Sequence, residues 1–441
     1  MTGGRGLILA APASGSGKTL IAAGLLRHLR KRGLRVAAAK AGPDYIDPTF
    51  HTAASGRPCV NLDLWAMRRA TLGALVAALE SDAELVVCEG VMGMFDGAGP
   101  DGEAGSTAEL AKRTGWPVVL VVDARRQGAS VAALIGGFAR HDPEVPLAGV
   151  ILNRIAGARH RELLATALAR HVPDVRRLGA ILQDPGLALP ERHLGLVPAG
   201  ERSESEAIID HAAAAVADTM DIDALLALAR PSVLRGAASA VPLPPLGQRI
   251  AVARDAAFVF AYPAVFEGWR RSGAQLSFFS PLADEMPDSD ADAIYLPGGY
   301  PELHAARLAA SERFIGALRH AAAAGTTVYG ECGGYMVLGK VLTDAEGHVH
   351  PMAGLLPLTT SFAERRLHLG YREITLLQDG PLGKAGSRFR GHEFHYAATL
   401  SACGDVLFAA KDSTGIDLGQ TGLRRGSVAG SFMHLIDRAE N

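Results

Sequence analysis

Six short apolar, β-branched runs in the first half of the chain constrain its fold more than any other feature. They are GLILAA (6–11), RVAAAK (35–40), ELVVCEG (84–90), PVVLVVDA (117–124), LAGVILNR (147–154) and HLGLVPA (193–199). Several are separated by Ala- and Leu-rich segments of helical length, such as KTLIAAGLLRHLRKRG (18–33), where Gly33 follows a basic last turn and suits a helix end. STAELAKR (106–113) sets Ser106 three residues before Glu109, a capping-box pattern. Strands apolar on both faces and alternating with helices predict a mostly parallel sheet covered on two sides. The pattern fades after about residue 230, where RPSVLRGAASAVPLPPLGQR (230–249) has the Pro, Ala, Gly and Ser content of a linker. A second α/β series follows with RIAVARD (249–255), QLSFFSP (275–281), DAIYLPGG (292–299) and TTVYGEC (326–332), and from about 350 the strand-like segments look more mixed. The expected division is a first domain at 1–230, a linker at 231–246 and a second domain at 247–441.

A chain of 441 residues is too long for one compact domain of ordinary size. At 48% hydrophobic and 20% charged residues it can bury large cores. The formal net charge of −2 and the lack of a long basic run make nucleic acid a poor partner. Cys59, Cys88, Cys332 and Cys403 form no CxxC pair, which argues against a disulfide framework or a zinc site and for reduced thiols in the cytoplasm. The apolar run after Arg5 is too short for a signal sequence, and no stretch approaches the length of a membrane span.

APASGSGKT (11–19) follows an apolar run and opens a helical segment, the context of a phosphate-binding loop. Ser14, Gly15, Ser16 and Gly17 would turn backbone N–H groups toward phosphates, Lys18 would reach the terminal phosphates of ATP, and the Thr19 hydroxyl would hold Mg²⁺. The pattern is imperfect, because its first glycine falls on Pro12. KAGPDYIDP (40–48) places Asp44 and Asp47 in a loop after a strand, and CEGVMGMFDG (88–97) places Glu89 at a strand end and Asp96 in the loop beyond it. Acids at the carboxyl ends of parallel strands border the ligand crevice and are natural Mg²⁺ ligands there; singly, each also suits a solvated turn.

The second half holds a different chemistry. VYGECGGYM (328–336) puts Cys332 between a strand and a pair of glycines. Alone, such a cysteine reads as a small buried hydrophobe. Yet a cysteine on a strained strand-to-helix turn would point its sulfur out of the sheet, with the helix N-terminus and a histidine favouring an exposed thiolate. GSFMHLID (430–437) supplies that histidine as His434, and LPGGYPEL (296–303) a glycine turn. The N–H groups of Gly299 and Gly333 are candidates for an oxyanion hole.

These motifs carry a resemblance. The second half resembles the class I glutamine amidotransferase domain of the triad type, and the first half resembles the dethiobiotin-synthetase-like P-loop fold. ASGSGKT, KAGPDYIDP, EGVMGMFDG, LGLVPAGE, PGGYPE, ECGGYM and RGHEFHYA together resemble the cobyrinic acid a,c-diamide synthase family of cobalamin biosynthesis, over nearly the whole chain. The resemblance implies that glutamine is hydrolysed with Cys332 as nucleophile and His434 as base, and that the ammonia amidates two corrinoid carboxylates activated by ATP and Mg²⁺ as acyl phosphates. It implies that Lys18 and Thr19 serve phosphate and metal, that Asp44 and Glu89 ligate Mg²⁺, that Asp47 and Asp96 face the corrin carboxylates, and that Asn153 reads the adenine edge. The implied partners are a corrinoid (cobyrinic or hydrogenobyrinic acid), glutamine and ATP; a homodimer is compatible with it.

One departure matters. Triad amidotransferases often carry an acid two residues after the histidine, where this chain has Ile436, and Asp437 is one residue too far. Either another group orients His434 or the site is a Cys–His dyad. A CTP synthase would have a longer chain and a His-x-Glu pair. A tetrapyrrole amidase acting on nickel sirohydrochlorin or on other corrin carboxylates remains a rival. A partitioning-type ATPase fused to an inactive amidotransferase scaffold would carry a second lysine early in the phosphate loop, where Ala13 and Ser14 stand.

Overall fold

The computed structural model describes residues 3–189, 191–192, 195–201, 203–236 and 240–440. The chain forms two compact units: Met1–Trp65 with Leu72–Ala238, and Ala66–Thr71 with Ser239–Asn441. Part of the expected linker, 237–239, and His193 and Leu194 of the sixth apolar run lie outside the described residues. Among the described residues no helix is long and apolar enough to cross a membrane.

The first unit is built on seven parallel strands: β1 Arg5–Ala10, β2 Val36–Ala41, β3 Val60–Leu62, β4 Leu85–Glu89, β5 Val118–Asp123, β6 Leu147–Ile155 and β7 Arg176–Leu182. Their order is β3-β2-β4-β1-β5-β6-β7. β2 is buried along its full length, as its run of alanines and valine requires of an interior strand. From β1 the chain first builds the sheet to one side and then, from β5, to the other. The carboxyl end of β1 is therefore a switch point, where open α/β sheets leave a crevice. Helix α1 (Lys18–Lys31) starts there; Gly33, with φ 84°, ends it and donates its N–H to the Arg30 carbonyl. Ser106 caps the helix at Thr107–Thr114 by accepting from the Glu109 N–H, while Glu109 accepts from the Gly105 N–H.

The sixth run departs from expectation. Gly195–Leu196 pairs antiparallel with Glu191–Arg192 in a two-stranded hairpin apart from the main sheet. The seventh strand is instead Arg176–Leu182, whose two leading exposed arginines and mostly part-exposed remainder hide it from a search for apolar runs. β3 escapes because three residues, VNL, are too few to stand out as an apolar run.

The second unit has a ten-stranded mixed sheet. Its parallel part uses β8 Arg249–Ala253, β9 Gln275–Phe279, β10 Ala293–Leu296, β11 Thr327–Glu331 and β16 Val428–Ser431; the antiparallel part uses β12 His368–Leu376, β13 Arg388–His395, β14 Asp405–Asp412, β15 Asp417–Arg425 and β17 Met433–Arg438. The order is β9-β8-β10-β11-β16-β15-β14-β12-β13-β17.

This unit recruits residues 66–71 from far upstream through a buried ion pair. The Asp437 carboxylate, 0% exposed, accepts from the Arg68 backbone N–H at 2.9 Å and from its guanidinium at 2.7 and 3.0 Å. Arg68 also donates to the Val241 carbonyl at 2.8 Å. Burial still pushes the Asp437 carboxyl above its usual range, with the Arg68 contacts opposing. Removing one member of such a pair strands the other charge. Arg68→Ala is expected to destabilise this unit by about 3 kcal/mol, and the Arg68→Ala/Asp437→Ala double variant by less than the sum of the singles, measured by urea unfolding.

Candidate active sites

In the first unit the phosphate loop leaves β1 and enters α1 through Gly17, at φ 92°. A Cβ at Gly17 would strike the Asn153 side-chain nitrogen, so only glycine fits. Asn153, at the end of β6, donates its amide to the Ser16 carbonyl at 2.9 Å and accepts from the Arg154 N–H. It braces the loop and also lines the adjacent cavity, whose volume is about 790 Å³. That cavity gathers Ser14, Gly15, Gly17, Lys18 and Thr19 with Asp44, Asp47 and Glu89.

A set of short contacts fixes the acids. Thr19 Oγ1 donates to Glu89 Oε1 at 2.8 Å, and His51 Nε2 lies 2.6 Å from Glu89 Oε2. Lys40, buried at the end of β2, lies 2.6 Å from Asp47 Oδ2 and 3.2 Å from Glu89 Oε1. Asp44 Oδ1 accepts from the N–H groups of Ile46 and Asp47, which fixes the start of the helix Asp47–Ser55. Burial, then the Asp44 charge, pushes the Asp47 carboxyl up to about 7, against the pull of Lys40. Glu89 shifts the other way. Burial opposes its ionisation, but Lys40 and the His51 contact outweigh burial and hold it well below the usual carboxylate range. Lys18 donates to the Met92 carbonyl at 2.7 Å, and Met92 is held in the left-handed region at φ 42° to present it.

Asp96 stands apart: it is exposed, its Oδ2 accepts from the Gly93 N–H at 3.0 Å, and it is not among the residues lining the cavity. Lys40 and His51 were missed from the sequence. The available signal was a lysine ending the otherwise apolar strand VAAAK.

In the second unit β11 delivers Cys332 at φ 45°, ψ −102°, ahead of the short helix Gly333–Leu338. The Cys332 N–H donates to the Ser431 carbonyl at 2.8 Å, which ties the turn to the end of β16; β17 then brings His434. Gly298 lies between the two side chains. A Cβ there would strike His434 Cε1 and come within 3.2 Å of Cys332 Cβ. The sequence pointed to Gly299; its neighbour is the residue that gives the pair its room. A Cβ on Gly333 would lie 3.0 Å from the Gly299 nitrogen, so the two backbone groups converge beside the sulfur. Asp437 is spent on Arg68, which removes it as the partner of His434. The strand β13 supplies the other neighbours: Phe394 accepts from the Cys332 thiol at 3.6 Å through its carbonyl, and His392 lies opposite His434 in the ladder.

The exposed thiolate expected from the turn is not what the site holds. Cys332 is 2% exposed, and burial, then the Glu302 charge, pushes its thiol well above the ordinary value, with the Gly333 N–H opposing. Burial, then His392 and His395, pushes His434 down to about 3. The strained turn positions the sulfur, but desolvation outweighs the helix N-terminus. Both groups are neutral at pH 7. Iodoacetamide is therefore expected to alkylate Cys332 at least about tenfold more slowly than exposed Cys403 at pH 8, with the Cys332 rate still climbing as pH rises beyond 9, read by peptide mass spectrometry.

Comparison with known proteins extends this geometry. Residues 7–197 match the CobQ/CobB/MinD/ParA nucleotide binding domain, and residues 249–441 match the CobB/CobQ-like glutamine amidotransferase domain. The chain is 55% identical over 436 residues to a protein of Brucella anthropi named hydrogenobyrinate a,c-diamide synthase, covering 98% of each chain. Proteins of the same name from Rhizobium meliloti (54% over 440 residues, 99% of this chain and 100% of the relative) and Rhodobacter capsulatus (53% over 436 residues, 98% and 99%) match as fully. With identity above half across nearly the full length of each relative, this chain belongs to the hydrogenobyrinate a,c-diamide synthase family.

Proposed function

We propose that this chain is an ATP-dependent carbon–nitrogen ligase that amidates the a and c carboxylates of hydrogenobyrinate with nitrogen from glutamine. The observation that carries the reading is the pairing, in one chain, of an acid-lined phosphate cradle with a Cys–His pair on a strained turn. The relatives' names supply the substrate. Free cysteines at all four positions suit the cytoplasm.

In the glutaminase half-reaction His434 takes the Cys332 proton and the sulfur attacks the amide carbon of glutamine. The developing oxyanion meets the N–H groups of Gly299 and Gly333, His434 gives its proton to the leaving nitrogen so that the C–N bond breaks and ammonia departs, and water, deprotonated by His434, then releases glutamate from the thioester and restores the thiol. In the synthetase half-reaction a substrate carboxylate attacks the γ-phosphorus of ATP, giving an acyl phosphate and ADP. Ammonia then displaces phosphate to form the amide. The glycines of the loop cradle the phosphates and Lys18 exchanges the Met92 carbonyl for a phosphate oxygen. Asp47 and Asp96 are assigned to the substrate side. Asn153, besides bracing the loop, faces the nucleotide.

The residues fit Mg²⁺. At the phosphate end three carboxylates, Asp44, Asp47 and Glu89, outnumber the two lysines Lys18 and Lys40, an oxygen-rich donor set with a net negative charge for a cation to offset. Thr19 and Asp44 would hold the ion, with Glu89 ligating or orienting the Thr19 hydroxyl. Bound there, the ion would neutralise charge on the transferring phosphoryl group.

Mass spectrometry of hydrogenobyrinic acid incubated with enzyme, glutamine and MgATP tests the reading, with a mass gain of two amidations expected and no gain refuting it. Cys332→Ala is expected to abolish glutamine-dependent amidation and retain ammonia-dependent amidation. Gly298→Ala is expected to lower the glutaminase rate about a hundredfold by displacing His434, again sparing ammonia-dependent amidation. Loss of the ammonia-dependent rate in either folded variant would refute the separation of the two half-sites. Glu89→Gln should instead lower amidation with both nitrogen donors by about tenfold to a hundredfold, most sharply at limiting Mg²⁺, as steady-state rates would show.

A further inference from the structure

Beside the phosphate loop the first unit has a second cavity, of about 520 Å³, lined by Arg125, Arg126 and Arg154 with Asp123, His160 and Gln183. Arg125, Arg154 and Gln183 also line the larger cavity, and Arg154 donates to the Gly15 carbonyl at 2.6 Å, so the two spaces adjoin. The charge here is unbalanced. Asp123 is shared between Arg125 at 2.8 Å and Arg154 at 2.7 Å. His160 adds no charge: its Nδ1 accepts from the Ala156 N–H at 3.0 Å, and its Nε2 donates to the Gln127 carbonyl at 2.7 Å. Three guanidiniums against one carboxylate leave a charge of +2.

The backbone adds a second observation. Among the described residues only Met92, Arg126, Arg154, Asp284 and Cys332 are non-glycine residues at positive φ. Two of the five are arginines of this cavity, at φ 62° and 58°. Arginine has no short polar side chain to ease that conformation, and strain of this kind gathers at functional sites. Arg126 is exposed.

The cavity calls for an anion other than the ATP phosphates, which the loop and Lys18 serve. On the function proposed above, the substrate carries carboxylates besides the two that react, and it must approach a cradle whose Asp44, Asp47 and Glu89 repel it. We propose that Arg125, Arg126 and Arg154 form a docking subsite for the unreacted carboxylates of the polycarboxylate tetrapyrrole, offsetting that repulsion. Guanidinium forks match carboxylates in two-pronged geometry.

Arg126→Glu tests the subsite, since this side chain is exposed and its reversal leaves the Asp123 pairs in place. The KM for hydrogenobyrinic acid is expected to rise about tenfold or more, and to lose part of its dependence on salt. Arg126→Lys, which keeps the charge and loses the fork, should fall between. The dissociation constant of a non-hydrolysable ATP analogue, by calorimetry, should change less than about twofold, which also reports an intact fold. An equal weakening of the ATP analogue would make the cavity a nucleotide subsite and overturn the proposal. Wild-type turnover with an unchanged KM in Arg126→Glu would overturn the subsite alone. A wild-type enzyme that forms no diamide would overturn the functional reading and the subsite with it.

Discussion

A lysine ammonium buried at the end of β2 holds the phosphate cradle together. Burial on its own drives an ammonium toward neutrality, but Asp47, Glu89 and Asp44 outweigh it and keep Lys40 charged. From that one charge the geometry propagates. Lys40 fixes Asp47 at the start of its helix and Glu89 at the end of β4; Glu89 orients Thr19 at the start of α1, and its other oxygen is held by His51. Four secondary-structure elements, β2, the helix Asp47–Ser55, β4 and α1, are thus registered by charge as well as by apolar packing. A buried network of this kind adds little net stability, because desolvation offsets the attraction, but it is costly to break. Its value lies in fixing carboxylate oxygens to within hydrogen-bond tolerance where phosphates must be met.

The two units solve one geometric problem with different means. Each must bring reactive groups out of a parallel sheet at its carboxyl edge. In the first, glycines at positive φ let the chain turn back over β1, and Met92 accepts the left-handed region so that its carbonyl meets Lys18. In the second, Cys332 itself takes the strained conformation, and glycines on the neighbouring turn make room for it and for His434. Strain sits on the working residue where a side chain must be aimed, and on its neighbours where backbone N–H groups do the work.

Legibility followed the range of the interaction. The phosphate loop could be read because its chemistry is local: strand, glycines, lysine and threonine lie within one turn of chain. Ser106 and Gly33 were readable for the same reason. Lys40 was not, since a lysine closing a strand could as well be solvated; only its burial against two acids from other segments gives it meaning. Gly298 and Gly299 are indistinguishable in sequence and differ in which faces the histidine. The fate of Asp437 depends on Arg68, 369 positions away, and no spacing rule reaches that far. β7 was missed because its arginines break the apolar run, and HLGLVPA was read as a sheet strand because composition cannot tell a hairpin edge from an interior strand.

The resting Cys–His pair poses a physical problem for the proposed hydrolysis. Moving the thiol proton to the imidazole would create two charges in a site where burial disfavours both, with the Cys332 thiol raised and His434 pushed down to about 3. No acid is left to compensate at the triad position, Ile436 being apolar and Asp437 committed to Arg68. The negative charge that favours protonated His434 is Glu393, itself paired with Arg372 at 2.7 Å and with His395 at 3.1 Å. Proton transfer therefore has to be driven by what enters the site. Glutamine brings a zwitterionic head group and an amide whose carbonyl oxygen gains charge as the sulfur attacks, and in the proposed mechanism the Gly299 and Gly333 N–H groups would stabilise that oxyanion rather than a free thiolate. A site arranged in this way stores no reactive thiolate in the absence of substrate, and its thiol is protected from adventitious oxidation by the same burial that keeps it protonated.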